Sequence, residues 1–147
     1  MWFSDQISTT GSGQLSLAGI PASELAERFG TPVVVLLEDQ IRKSCRAYTE
    51  RHEYYPRFAA YYAGKALLTV GICRLIEQEG FGLDVVSSGE LHTAIAAGFP
   101  AQRVNVHGNA KSIAELELAL DYGVGRIVVD NFAEIERLAR LAADRGE

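Results

Sequence analysis

The chain has 147 residues, 48% of them hydrophobic, and a formal net charge of −5 from 14 Lys and Arg against 19 Asp and Glu. That length makes one domain or part of a larger protein. The acidic balance argues against non-specific nucleic-acid binding, which needs a basic surface, and no apolar run approaches the roughly 20 residues of a membrane span.

Residues 1–19 read as a flexible leader: Ser8 to Gln14 is small and polar, and the first residues lack the basic start and apolar stretch of a secretory signal. Residues 20–57 read as a helix opened by Pro21 and Glu24 and ended near Gly30, an entry strand over Pro32 to Leu37, and a second helix over Glu38 to His52. Pro32 to Leu37 is β-branched and continuously apolar, as a buried strand should be.

From Phe58 a rhythm sets in, and residues 58–147 read as four βα units. The strands are Phe58 to Ala63, Leu83 to Val86, Val104 to His107 and Arg126 to Val129. The helices are Leu67 to Glu79, Gly89 to Ala97, Ile113 to Tyr122 and Phe132 to Asp144, closing on Gly80, Gly98, Gly123 and Gly146. Short strands without polar alternation are the mark of a parallel sheet covered on both faces, so the class is α/β. A closed (β/α)₈ barrel takes about 250 residues. Four units therefore make a small open sheet or half of a barrel. Polar residues follow every strand (Lys65; Asp84, Ser87 and Ser88; His107 and Asn109; Asp130 and Asn131), and that fits a barrel rim better than the single crevice of an open sheet.

Lys65 ends the aromatic run Tyr61-Tyr62-Ala63-Gly64. There it is either a helix-start lysine with its head in water or an amine whose desolvation favours the free base, suited to a Schiff base with an aldehyde cofactor. Asp84 lies within an apolar strand and needs a partner, whether a structural hydrogen bond or a cofactor. Ser88 is placed to cap a helix whose N–H groups could meet an anion, and Glu90 to stabilise its first turn. His107 either shapes its loop or faces a ring in the barrel mouth. Ser112 reads as an N-cap, Asp130-Asn131 as a cap or a rim contact, and Lys111 as a surface residue. Cys45 and Cys73 stand alone on helices. They read as inert small hydrophobes, too few for a disulfide framework, and point to a reducing cytoplasm. There is no metal-ligand cluster, Walker A loop, GxGxxG or Gly-x-Ser-x-Gly elbow.

Tyr62-Ala63-Gly64-Lys65-Ala66-Leu67, Leu83 to Leu91, His107-Gly108-Asn109-Ala110-Lys111-Ser112 and Ile127 to Asn131, in that order and each at a strand end, resemble the N-terminal half of the diaminopimelate decarboxylases. Phe29 to Val35 resembles their entry strand. The resemblance runs from about residue 20 onward. It implies the fold-type III pyridoxal-phosphate architecture: a (β/α)₈ barrel of which this chain holds about half, with the C-terminal β-domain, which the Pro32 to Leu37 strand joins in the family, absent. It implies that Lys65 carries pyridoxal 5'-phosphate as a Schiff base, that Asp84 and Glu90 lie beneath or beside the cofactor, and that His107 belongs to the cofactor site. It further implies decarboxylation of meso-diaminopimelate to L-lysine by a cytoplasmic homodimer, with a small amino-acid substrate and neither nucleic acid nor membrane as partner. The alternatives are another amino-acid decarboxylase or a racemase of the same fold, or a non-catalytic cofactor-binding or regulatory relative. Asn109-Ala110 departs from the family's usual asparagine pair, and Leu67 stands where a bulkier or polar residue is common. The family's phosphate loop, pyridine-nitrogen acid and substrate-binding arginine are expected further along, so this chain alone is expected to be inactive.

Overall fold

The computed structural model describes residues 4–50 and 57–146. These fall into two compact units, the first ending at Ala47 and the second starting at Tyr48.

The first unit departs from the sequence reading twice. Instead of a flexible leader, the chain forms an antiparallel meander of β1 (Ile7–Thr9), β2 (Leu15–Leu17) and β3 (Ile20–Pro21), with Ile7 opposite Leu17 and Leu17 opposite Ile20. Ser8 and Thr9 lie in β1, and the polar residues after them form the turn: Thr10 N donates to Gln14 O at 2.7 Å, and Thr10 O accepts from Gly13 N at 2.9 Å. A small polar stretch between Leu and Ile residues is a turn signal as readily as a linker signal. The second departure is the entry strand. Residues 33–37 carry no regular structure; residues 33–36 are exposed, Val34 to 85%, and Leu37 is half-buried. A strand exists only through its ladder, and among the described residues this apolar run has no strand beside it. Helices α1 (Ala22–Phe29) and α2 (Glu38–Thr49) lie where expected; Pro21 precedes α1 at the N-cap, and residues 51–52 of the second expected helix lie outside the described residues.

The second unit follows the predicted rhythm. Strands β4 (Tyr61–Ala63), β5 (Gly82–Val85), β6 (Val104–Val106) and β7 (Arg126–Ile127) pair side by side in chain order, all parallel. They alternate with α3 (Val70–Gln78), α4 (Ser88–Ala97), α5 (Ile113–Tyr122) and α6 (Phe132–Ala143). Each helix packs on the next, α3 on α4, α4 on α5 and α5 on α6. A doubly wound sheet reverses its strand order at a switch point; this one does not, which is the order of barrel strands. The core lies between sheet and helices. Leu83, Val85 and Val104 are fully buried against Ile76, Leu91, Ala94 and Leu116, each such side chain contributing about 1.5–3 kcal/mol of burial free energy. Cys73 is also fully buried, and burial pushes its thiol above the ordinary value, so it stays protonated and inert.

The last three helices begin in one way. Ser87 Oγ accepts from Glu90 N at 3.3 Å, Ser112 Oγ from Glu115 N at 3.2 Å, and Asn131 Oδ1 from Glu134 N at 2.9 Å. A glutamate thus occupies the third position of each helix, near the positive helix end. Glu115 completes a capping box: its Oε2 accepts from Ser112 N and Ser112 Oγ, both at 2.9 Å. Its Oε1 reaches back to Ser88 N at 3.2 Å, tying α5 to the start of α4.

Two predictions follow from this cap. Ser112→Ala should cost about 1 kcal/mol in denaturant unfolding; an unchanged midpoint would contradict the capping role. The Ser112 backbone N–H, then its hydroxyl, hold the Glu115 carboxyl below its ordinary value, helped by Ser88 N–H and the Lys111 charge and opposed by desolvation. A depressed folded pKa gives stability that is present above the unfolded value, about 4.3, and lost as pH falls through the folded one. The stability gap between wild type and Glu115→Gln should therefore be widest near neutral pH and narrow below about pH 4; a gap independent of pH would refute it.

Candidate functional site

Lys65 sits in a single 3₁₀ turn, Gly64–Ala66, directly after β4. The next residue, Leu67, is extended (φ −171°, ψ 122°), and α3 starts only after Thr69, whose hydroxyl accepts from Ile72 N at 3.2 Å. Helix α3 therefore begins three residues later than the sequence pattern suggests. The turn is closed from outside by Tyr62, whose hydroxyl donates to the Leu67 carbonyl at 2.9 Å. It is closed from beneath at Gly64, where an added Cβ would stand 3.1 Å from Glu90 Oε2 and 3.2 Å from Asp84 O. Glu90 Oε2 is itself held by Val86 N at 2.9 Å. Lys65 is exposed, not desolvated as the aromatic run before it suggests, because the 3₁₀ turn carries it past the end of the packed strand.

Asp84 is the middle of β5, between Ala63 and Asn105 in register. Its neighbours Leu83 and Val85 are fully buried on the opposite face, as strand alternation requires. The structure brings Asp84 to His107: Oδ1 lies 3.3 Å from Nε2, with the side chains 28% and 42% exposed. The two do not meet hydrogen-bond geometry, and Asp84 Oδ1 finds no donor among the described residues. A protonated His107 would pair with it electrostatically. His107 N continues the ladder by donating to Val85 O at 2.8 Å.

Lys65 and His107 line one open cleft of about 370 Å³, with Val86, Gly108, Asn109, Val128, Val129 and Asp130. That lies within the roughly 300–1,000 Å³ of small-molecule sites. Asp84 stands behind His107 and is not part of the cleft wall. The expected anion site at Ser88 is corrected: its N–H donates to Glu115, and Val86 N and Ser112 N are likewise taken by Glu90 and Glu115. Ser87, not Ser88, is the N-cap. In α4 and α5 the first-turn carboxylates thus occupy several of the donors an anion would use.

Lys111 is the other correction. Expected at the surface, it is 5% exposed, and its Nζ lies 2.7 Å from Oε1 of the fully buried Glu134. Its Nζ also donates to Val128 O at 2.8 Å and to Gly108 O. Glu134 went unnoticed in the sequence. The signal was there in Asn131 followed three residues later by Glu134, the spacing also seen in Ser87–Glu90 and Ser112–Glu115. Among the described residues no group of three His, Cys, Asp or Glu is placed to hold a metal ion, and no helix is long and apolar enough to cross a membrane.

Residues 38–146 match the family model described as "Pyridoxal-dependent decarboxylase, pyridoxal binding domain". The chain is 51% identical over 130 residues to a diaminopimelate decarboxylase of Actinosynnema pretiosum subsp. auranticum, a match covering 88% of this chain and 29% of that protein. It is 44% identical over 135 residues to the diaminopimelate decarboxylase of Bacillus subtilis (strain 168), covering 91% and 31%. In structure it superposes on the diaminopimelate decarboxylase from M. jannaschii in co-complex with L-lysine, with a TM-score of 0.88 and 30% identity over 100% of this chain and 35% of that one. A lysine/ornithine decarboxylase from Vibrio vulnificus complexed with putrescine matches at a TM-score of 0.73 and 30% identity, covering 83% and 33%. The chain spans about a third of the length of these relatives. It belongs to the pyridoxal-dependent decarboxylase family, whose pyridoxal-binding domain its residues 38–146 match.

Proposed function

We propose that this chain supplies the cofactor-bearing lysine and one wall of the active site of a pyridoxal-phosphate-dependent diaminopimelate decarboxylase, which converts meso-diaminopimelate to L-lysine. One observation carries this reading: an exposed Lys65 amine, in a turn pinned from both sides, opens into a cleft shared with His107. The diaminopimelate branch is favoured over other amino-acid decarboxylases by 51% identity to one of its members and by TM-scores of 0.88 against 0.73.

The residues present fit the cofactor in part. An accessible primary amine suits its aldehyde, and an imidazole on the same wall suits its aromatic ring. When bound, the cofactor supplies the electron sink that lets a carboxylate leave as CO₂. Lys65 Nζ would hold the cofactor through its aldehyde, and as a free amine it would be a group able to carry a proton. Tyr62 and Glu90 hold the turn from which Lys65 projects, so its amine is aimed without reorganisation. Asp84 places a carboxylate 3.3 Å from His107 Nε2, a partner for the ring if it is charged. The N–H groups of Val86, Ser88 and Ser112, at the starts of α4 and α5, already donate to glutamates and are not open to the phosphate. Phosphate recognition and substrate-carboxylate binding therefore fall to residues other than these.

The same reading implies a homodimer with a small amino-acid substrate. The two cysteines, buried and not in a disulfide, suit a cytoplasmic setting.

Borohydride reduction in the presence of pyridoxal phosphate, followed by peptide mapping, should place the label on Lys65, and Lys65→Ala should abolish it. Equal labelling in that variant, or a label spread over surface lysines, would overturn the assignment. Gly64→Ala should slow trapping at Lys65 about tenfold, because the new methyl meets the Glu90 carboxylate and shifts the turn. Unchanged trapping kinetics would show that the Gly64–Glu90 contact does not aim the amine.

A further inference from the structure

We propose that the buried Lys111–Glu134 pair is a positioning strut that joins two separate walls of the Lys65 cleft and anchors both to α6. One buried ammonium meets groups from three places. Lys111 Nζ donates to the Val128 carbonyl at 2.8 Å and to the Gly108 carbonyl, and forms an ion pair with Glu134 Oε1 at 2.7 Å. Gly108 belongs to the wall of His107 and Asn109; Val128 belongs to the wall of Val129 and Asp130. One cation thus fixes the carbonyls of two loops that are distant in sequence, and its counter-charge sits on the first turn of the helix that follows the second loop.

The loop is shaped around this cation. Gly108 adopts φ +101°, with its Cα pressed so near Val86 that an added Cβ would stand 3.2 Å from the Val86 carbonyl, and Ala110 adopts φ +54°. Left-handed backbone in a non-glycine residue is costly and persists where its surroundings hold it. The energetics point the same way. Burying two charges is expensive, and an apolar pair of similar volume is commonly as stable or more so. Neither carboxylate oxygen of Glu134, moreover, makes a hydrogen bond among the described residues, so its charge is met by the Lys111 ion pair. A pair that is poor value for stability alone, yet holds two cleft walls by their carbonyls, is explained by placement.

The test separates placement from stability with three variants: Lys111→Met, Glu134→Leu, and both together. In each single variant a buried charge loses its partner. The denaturant midpoint should fall, the His107 ring C2–H resonance should move, and the apparent affinity for pyridoxal phosphate, read by borohydride trapping at Lys65, should drop about tenfold. The resonance is assigned among the chain's three histidines with His107→Asn. In the double variant the apolar pair should restore the midpoint, while the His107 resonance and the trapping affinity stay perturbed, because no ammonium then binds Gly108 O and Val128 O. A double variant that regains wild-type resonance and affinity together with stability would reduce the pair to packing and overturn the proposal. So would single variants that leave the resonance in place. The trapping readout rests on the function proposed above, whereas the resonance does not. If wild-type protein traps no cofactor at Lys65, that function fails while the strut is still judged by His107.

Discussion

A carboxylate placed three residues after a helix cap is the interaction on which the second unit depends. Glu90, Glu115 and Glu134 each occupy that position in α4, α5 and α6. Each does more than cap its own helix. Glu90 takes Val86 N–H and presses on Gly64, in the turn of the preceding unit. Glu115 takes Ser88 N–H from the preceding helix start. Glu134 takes the ammonium of Lys111 from the preceding loop. The same device, repeated once per unit, stitches each βα turn to its neighbour along the rim where the strands end. Helix α3 begins differently, with Thr69 followed three residues later by Ile72.

This arrangement has an electrostatic consequence. Helix starts are ready-made anion sites, because their first N–H groups are unpaired and the helix dipole is positive there. Here the protein's own carboxylates neutralise those ends. The cleft wall is therefore fixed in place, with the N–H groups of Val86, Ser88 and Ser112 taken by carboxylates, and it presents an accessible amine and an imidazole with a carboxylate close by. Such a wall holds a reactive group in a defined direction, which suits cofactor chemistry in which the protein's part is orientation and proton handling.

The strand–helix alternation was legible because its signals are local. Apolar runs, helix-closing glycines and cap residues act within a few positions, and α5 and α6 begin where the pattern places them. The site was legible in part for the same reason: Lys65 and His107 follow their strands directly, and strand ends face one rim in any parallel βα sheet. Where the sequence reading failed, the deciding contact was not local. The polar stretch from Ser8 to Gln14 ends one strand and turns into the next because Ile7 to Thr9 pair with Leu15 to Leu17 across it. Val33 to Leu36 has strand composition but no ladder, since composition supplies no partner. Ser88 was available to an anion in the sequence and is engaged in the fold, because its donor goes to a residue one unit away.

Lys65 shows the division most clearly. Its identity as the amine at the end of the first barrel-like strand, the parallel α/β class, and the family resemblance were all determined by the order of residues along the chain, since motif spacing and helix periodicity are one-dimensional properties. Its exposure, its pinning by Tyr62 and by the contact of Glu90 with Gly64, the approach of Asp84 to His107, and the burial of Lys111 against Glu134 were decided only by tertiary structure. A charge is buried or exposed according to what packs over it, and those partners lie up to one full βα unit away in the chain.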